Sequence, residues 1–383
     1  GISNMGAESC FWHLIEEFMK ERMPLFLYYE NLSSEWQRKI QNAVATMGYS
    51  FFHFNPNTCI SPAFNVLSTV DTLEQMSALI YSFLYNKEDS TYDTNLILRY
   101  LKDCIFCLKE HREFVSLKAV LQLSVEKVRD ALLRSCLLSE EEIESEVAFL
   151  EGREVYRCWG IVNDRAQKLK SCGLIDVLSG NKSVFEVFDG NVFVLISSPV
   201  SEMGITKTYE PILRGMMTLC SFLFEKRNEQ KKKYHCFING CKQMQKESLR
   251  SLLSIGMESE VCVVPICVYE QSISDMIAMH GVSVMDLFGY YAIFKTNDAY
   301  YWSEFFGTIS SVDVTESYTK SKIPLLGNLG GVVARRTGRH SQTSIHRIEK
   351  PVYEPRVFLS LKENQLIFYN AFLNRKSKKQ LRG

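Results

Sequence analysis

The sequence predicts an α/β fold: a parallel sheet covered by helices on both faces, with an all-helical domain inserted into it. Three observations carry this expectation. Short apolar runs alternate with amphipathic stretches at the spacing of βαβ units. Between Thr72 and Gly173 the alternation stops, proline is absent, and apolar residues recur only at helical spacing. After Gly173 the alternation resumes, so the helical segment interrupts one sheet.

The elements follow in order. Ser9 to Arg22 carries Phe11, Leu14, Ile15 and Phe18 on one helical face, and Pro24 stops it. Leu25 to Tyr29 is a compact strand, Ser34 to Met47 a helix ended by Gly48, and Tyr49 to Phe54 a second strand before the loop NPNTCISPAFNVL. Strand, helix, strand at this spacing makes a βαβ unit. Periodic apolar positions such as Leu98, Leu101, Ile105 and Leu108 then predict four to six helices over 72–173. Asn191 to Ser197 is a strand, Tyr209 to Phe224 a helix, Tyr234 to Gly240 a strand and Glu247 to Ser254 a helix. Glu260 to Val268 is a strand interrupted by Pro265, Ser274 to His280 a helix, and Tyr290 to Lys295 another strand. From Ser321 the Gly- and Arg-rich run LLGNLGGVVARRTGRHSQT reads as a mobile loop. A strand pair, Arg356 to Leu361 and Gln365 to Phe372, precedes the basic tail NRKSKKQLRG. The expected division is 1–71 and 174–320 for the two halves of the α/β domain, 72–173 for the helical insertion, and 321–383 for loop, hairpin and tail.

Composition bounds the class. A chain of 383 residues can bury a large core and form more than one domain. Hydrophobic content of 46% and charged content of 23% are those of a soluble globular protein. Lys plus Arg and Asp plus Glu number 44 each, so no global field marks a nucleic-acid or membrane partner. Twelve cysteines without a framework spacing point to a reducing compartment. No apolar run approaches the ~20 residues of a membrane span, so the chain is expected to be soluble, or the soluble part of an anchored protein. It begins at Gly1 with its first methionine at Met5, as a tag scar before a truncated native sequence would.

The stretch YHCFING, Tyr234 to Gly240, organises the functional reading. It is an apolar run between the basic cluster KRNEQKKK and the turn dipeptide Asn239-Gly240, which suits a central buried strand. In a nucleotide-hydrolysing α/β domain the tip of such a strand carries one carboxylate for Mg²⁺ and one to polarise water. Here it carries an amide and a glycine.

Set in order along the chain, PLFLYYENLSSEWQRKIQNAVATMGYSFFHFNP, Asn163-Asp164-Arg165, SCGLIDVLSGNKSVFEVFDGNVFVLISSPVSEMG, LRSLLSIGMESEVCVVPICVYEQSISDMIAMHG, FGYYAIFKTNDAYYWSEFFGTIS and EKPVYEPRVFLSLKENQLIFYN resemble segments of the soluble ATPase region of type IV secretion and conjugation coupling proteins, the TraD/TraG group and its DotL-like branch. The resemblance implies a RecA-like, P-loop NTPase-type sheet at the cytoplasmic face of a bacterial inner membrane. It also implies homo- or hetero-oligomers, secretion-system subunits and secreted protein or nucleoprotein substrates as partners, and recognition by the helical domain.

Departures from the family pattern decide the chemistry expected. Tyr29-Glu30-Asn31 stands where Asp-Pro-Lys-Gly is usual. Gly1 to Ser9, GISNMGAES, keeps glycines at P-loop spacing, Gly1 and Gly6, but sets Ala7 and Glu8 where the phosphate Lys and the Mg²⁺ hydroxyl belong. Asn239 and Gly240 replace the Walker B acids, and Cys267 lies near the family's phosphate-sensing Gln. The expectation is a recruiting subunit with degenerate nucleotide motifs, no hydrolysis and no ATP or Mg²⁺. The alternatives are an active ATPase whose Walker A motif lies upstream, and a nucleic-acid-binding module. Glu30 and Asp298 read as solvated surface acids rather than substitutes.

Other constellations have bland readings. Cys104, Cys107 and His111 have a metal-like spacing, but both thiols fall on the apolar stripe of a helix and read as core. Cys236 and Cys241 read as core thiols, and His235 points to the opposite strand face from Cys236. Arg335, Arg336, Arg339 and His340 read as a solvated basic loop, and KRNEQKKK as the exposed edge between helix and strand. The aromatics are not interleaved with basic residues as a single-strand binding groove requires.

Overall fold

The computed structural model describes residues 5–55, 58–86, 88–199, 206–240, 249–250, 252–254, 262–263, 266–267, 281, 290–293, 296–322, 337–362, 365–370 and 375–380. They form two compact units, 1–289 and 290–383.

The first unit is built on a sheet whose centre is β1 (Leu25–Leu32), flanked by β6 (Val192–Pro199) and β7 (Tyr234–Asn239), with β2 (Ser50–Asn55) outside β6. All of these pair in parallel. The strand expected over 260–268 is present as β8 (Cys262–Val263) and β9 (Ile266–Cys267), both parallel to β7. A short antiparallel β3 (Thr58–Ile60) edges β2, and β4 (Phe64–Asn65) pairs separately with β5 (Lys182–Ser183). The apolar runs of the sequence become strands because a strand covered on both faces buries consecutive side chains. Every residue of β7 is buried, as is β1 apart from Asn31.

One face is covered by α1 (Met5–Met19) and α2 (Ser34–Thr46), whose Phe11, Ile15, Met19, Ile40 and Val44 pack on Leu25, Leu27, Tyr29, Phe193, Leu195 and Phe237. The Ser33 side chain caps α2 by accepting from the Trp36 N–H. After β5 comes the single turn α10 (Val184–Val187), and the other face of the sheet is covered by α11 (Thr206–Glu229), where Phe224 stacks on Tyr234 at 4.4 Å and meets Phe26 edge-on at 4.8 Å. The basic cluster is not wholly the exposed edge it resembles. Arg227 is 2% exposed and donates to the carbonyls of Phe188 and Lys233 at 3.2 and 3.0 Å, so it holds the start of β7 to the segment before β6.

Between β4 and β5 lie α3 (Leu73–Leu84), α4 (Thr91–Glu110), α5 (Leu117–Leu121), α6 (Val125–Leu132), α7 (Glu140–Leu150), α8 (Arg153–Ser171) and the single turn α9 (Leu174–Val177). Hydroxyl caps open most of them: Thr72, Ser90, Ser116, Ser124 and Ser139 each accept from a first-turn amide. Arg165 on α8 makes a two-pronged pair with Asp89, at 2.5 and 2.7 Å, and also donates to the Leu84 carbonyl. Charge and fork geometry thus lock the α3–α4 corner onto α8. Gly215 lets α11 approach α3, because a Cβ there would lie 2.1 Å from the Phe83 ring. Cys104 and Cys107 are buried on α4, and His111 Nδ1 lies 2.9 Å from the Cys107 carbonyl, finishing the helix.

The second unit contains α12 (Ala299–Phe305), the antiparallel ribbon β11 (Thr308–Lys322) and β12 (Thr337–Pro351), and α13 (Pro355–Leu359). Its three-stranded antiparallel sheet has the order β10 (Tyr290–Ile293), β13 (Gln365–Asn370), β14 (Arg375–Gln380). Three expectations are corrected here. Part of the Gly- and Arg-rich run expected as a loop is strand: from Thr337 the chain pairs with β11 residue for residue. The strand expected over 356–361 is the helix α13, begun by Pro355 at its first position. The closing hairpin is instead β13 with the basic tail, which forms β14. The helix expected over 274–280 lies outside the described residues.

Asp103 on α4 has one carboxylate oxygen, Oδ2, without a hydrogen-bond partner. Burial, reinforced by the charge of Glu146, pushes its pKa up to about 7. An unfolded Asp titrates near about 4, so the unfolded chain releases this proton first and stability falls as pH rises from about 4 to about 7. Asp103→Asn is expected to raise the melting temperature by a few degrees at about pH 8 and to change it little at about pH 4. Thermal melts of both proteins across that range check the sign.

Candidate functional site at the strand tips

Because the strands of the first unit run parallel, their carboxyl ends gather along one edge. The register aligns Tyr29 with Ser197 on one side and Asn239 on the other, and Asn239 with Cys267. Two positions singled out in the sequence, Asn239 and Cys267, are therefore neighbours on adjacent strands. The direction of winding reverses at this edge. After β1 the chain crosses to β2 on one side, and after β6 it crosses over β1 to β7 on the other. Such a reversal opens the crevice in which parallel α/β sheets bind ligands.

Polar residues end the apolar strands here and are deeply buried: Glu30, His53, Ser197, Ser198 and Asn239 are each at most 4% exposed. Sequence reading missed His53, Ser197 and Ser198. Their signal was the polar residue closing an apolar run, in FFHFN and LISSP. Nε2 of His53 lies 2.8 Å from Ser197 Oγ, which also accepts from Asn55 Nδ2 at 3.1 Å. Ser198 Oγ accepts from the backbone N–H of Asn31, whose φ of 57° marks the bulge between Tyr29 and Leu32 of β1. Burial lowers the His53 pKa to about 4, so its ring is neutral at physiological pH. Two polar atoms have no partner, His53 Nδ1 and Asn239 Nδ2.

Glu30 corrects the sequence reading most sharply. It is 4% exposed, and its carboxyl stands against Gly240. A Cβ at Gly240 would lie 2.7 Å from both Cβ and Oε2 of Glu30, and Gly240 has a φ of 80°. Both facts require glycine. The edge thus has its carboxylate on β1, while the tip of β7 supplies only an amide and this close approach. Asp298 lies in the second unit.

Aromatic contacts orient α1. Phe11 meets Phe237 at 5.8 Å, whereas Phe18, two turns later, reaches His235 at 4.4 Å. The helix therefore runs opposite to β7, and its first turn, with Gly6, Ala7 and Glu8, lies towards the Asn239 end. Gly1 lies outside the described residues, as does Cys241. Cys236 is a buried thiol on β7, and His235 pairs with Glu21 at 3.1 Å, at the far end of the strand.

No protein-family model matches the chain, and no curated protein matches it in sequence. Solved structures do match. Unbound bacterial conjugative coupling protein TrwB aligns with a TM-score of 0.51 and 13% identity over 94% of this chain and 84% of that one. TrwB in complex with ADP and Mg²⁺ gives 0.50 and 12% over 94% and 85%. VirB4 of Thermoanaerobacter pseudethanolicus gives 0.55 and 10% over 100% and 88%. The fold is that of a RecA-like P-loop NTPase.

A magnesium triphosphate calls for a Lys on the phosphates, a hydroxyl on the metal and acids at the Walker B tip. None of Tyr29–Leu32, His53–Asn55, Ser197–Pro199 or Asn239–Gly240 is Lys or Arg, and His53 is neutral. Among the described residues the donor set is hydroxyls, amides and one carboxylate, which does not fit a magnesium triphosphate.

Gly240→Ala is expected to destabilise the protein by about 2 kcal/mol or more, from left-handed strain plus the clash with Glu30. Adding Glu30→Ala should recover part of that loss, as a double-mutant cycle in urea would measure. For His53, the unfolded ring protonates near pH 6.5 and the folded ring only near about 4. Stability is therefore complete above pH 6.5 and declines as pH falls towards about 4. His53→Gln should flatten that part of the stability profile, which denaturant midpoints at successive pH values would reveal.

Proposed function

We propose that this chain is a coupling-protein-like cytoplasmic subunit of a type IV secretion or conjugation system, which recruits substrates or partner subunits without hydrolysing ATP itself. The observation that carries this reading is the strand-tip edge. The fold of a secretion motor is kept, while the tip of β7 is Asn239-Gly240 with Glu30 pressed against it. An uncharged amide cannot hold Mg²⁺ by charge or activate water.

The recruiting role rests on the helical segment. A groove of about 410 Å³ between α5, α8 and α9 is lined by Leu121, Trp159 and Ile175 with Lys118, Lys170 and Asp176 at its rim. That mixture of apolar floor and charged rim suits a peptide. No helix among the described residues is long and apolar enough to cross a membrane.

A second reading, an active ATPase, is favoured by one observation: a buried carboxylate, Glu30, stands beside the Walker B position. Isothermal titration with ATP and Mg²⁺, followed by phosphate release, separates the two. The recruiting reading expects neither binding at micromolar nucleotide nor turnover. Turnover abolished by Glu30→Gln would establish the second reading and overturn the first. In-cell crosslinking tests the recruiting role, for which secretion-system subunits are the expected partners and their absence the contrary result.

A further inference from the structure

The balanced total of 44 cations and 44 anions conceals a segregation between the two units. Residues 290–383 contain 15 Lys and Arg against 7 Asp and Glu, a net charge of +8. Residues 1–289 contain 29 against 37, a net charge of −8. The expectation of a chain without a field is therefore corrected: each unit has a net charge, of opposite sign. Within the first unit acids gather at the corner between α6 and α7, where Ser139 to Glu151 holds six acids and no base. Two of the six are committed locally. Glu142 accepts from the N–H and the hydroxyl of Ser139, each at 2.8 Å, and Glu146 accepts two bonds from Arg99, at 3.0 and 2.8 Å. Glu140, Glu141 and Glu144 are exposed, and no ion pair among the described residues reaches them. Acids in the first turn gain from the helix dipole, but Glu144 lies past that turn and repels Glu140 at the i, i+4 spacing.

The packing of α7 is as incomplete as its charge. Leu150 is its single buried residue, while Ile143 and Val147, at helical spacing with it, are only half-buried. By contrast α4 buries seven residues and α8 five. Just before α7, Leu133 is 56% and Leu137 72% exposed. They stand on a fixed turn: Oε1 of Glu110 accepts from the Ser135 hydroxyl, the Cys136 N–H and the Leu137 N–H, at 2.7, 2.7 and 3.3 Å. Glu140 and Glu144 are i, i+3 neighbours of Ile143 and Val147 on the helix surface. The corner therefore offers apolar side chains on a rigid frame beside acids that no cation neutralises.

We propose that the α6–α7 corner is a docking surface for a basic amphipathic helix of a partner protein. Apolar side chains recurring every three or four residues on that helix complete the burial of Ile143 and Val147 and cover Leu133 and Leu137. Lys or Arg along its flank neutralises Glu140, Glu141 and Glu144. The acids decide the class of partner. They repel phosphate, which sets aside a nucleic acid and an anionic lipid surface, either of which calls for a basic rim instead. A helix supplies both requirements at once, because its 3.6-residue period sets an apolar stripe and a charged flank side by side. The inference goes beyond the recruiting reading and needs neither the strand-tip edge nor the groove between α5, α8 and α9.

The test is fluorescence anisotropy on the full chain with a labelled Leu/Lys peptide of helical period, about 18 residues or five turns long. Two comparison peptides accompany it, one with every Lys replaced by Glu and one of the same composition with the period scrambled. Expected is binding at about 10 µM or tighter in low salt, weakening about tenfold by roughly 300 mM salt as the charges are screened. Both comparison peptides should bind about tenfold more weakly or worse. Glu140→Lys with Glu144→Lys should weaken the Leu/Lys peptide about tenfold, and Leu137→Ser about threefold. The milder pair Glu140→Gln and Glu144→Gln, expected to cost about threefold, keeps the test valid if the reversal disturbs α7 by circular dichroism. Glu35→Lys with Glu186→Lys, on exposed acids of α2 and α10, makes the same change in total charge and should leave binding unchanged. Hydrogen exchange on the unmutated chain locates the contact, with slower exchange expected over 139–151 when the peptide is bound. Equal loss in the control pair, no binding in low salt, equal binding of either comparison peptide, or unchanged exchange over 139–151 would each overturn the proposal. So would co-sedimentation with anionic vesicles that the Glu140→Lys, Glu144→Lys chain loses. Failure here leaves the nucleotide titration and the crosslinking partners as they are, so the two readings fall separately.

Discussion

Strand β1 has no free edge. It is hydrogen-bonded in parallel to β6 along one side and to β7 along the other, with helices over both faces. A strand in that position can carry polar side chains only where it leaves the sheet, and the chain obeys this closely. Leu25 to Leu27 are apolar, Tyr28 and Tyr29 have polar tips, and Glu30 and Asn31 stand at the exit. The flanking strands must end at the same level, because the register is shared, so Ser197 and Asn239 become polar in the same row. The polar edge thus follows from the topology.

The same constraint couples Glu30 to Gly240. Adjacent strands lie only ~4.8 Å apart, and a buried carboxyl at the tip of β1 fills the space that a side chain after Asn239 would need. Acid at one position and glycine at the other therefore form a single choice. Among the described strand tips the carboxylate stands on β1, against Gly240, and β7 ends in an amide. The remaining described groups at this edge are neutral, down to the His53 ring beside Ser197, which burial keeps unprotonated. Such an edge is polar and preorganised but poor in charge.

How much of this was legible in the sequence follows from where the information resides. The strands of the first unit were legible because a doubly covered strand needs an unbroken apolar run, and FVLIS and YHCFIN are such runs. The ribbon was not. Thr308 to Lys322 is largely Ser, Thr and charged residues, whose pairing with 337–351 is a property of two segments together. Arg227 was invisible for a related reason, since a cation within KRNEQKKK is identical in type to its exposed neighbours, and only the nearby carbonyls of Phe188 and Lys233 distinguish it. The site was half legible. Asn239 and Cys267 could be placed by their strands, whereas the burial of Glu30 depends on Gly240, more than two hundred residues away.

Charge shows the same limit in another form. A net charge of zero excludes a long-range field only if the charges are mixed, and here they are sorted, −8 in one unit and +8 in the other. At physiological salt the screening length is about 8 Å, shorter than either unit, so an approaching polyanion responds to the unit it meets rather than to the sum. A balanced total therefore excludes a field only for a chain whose charges are mixed, and here the charge has to be counted unit by unit.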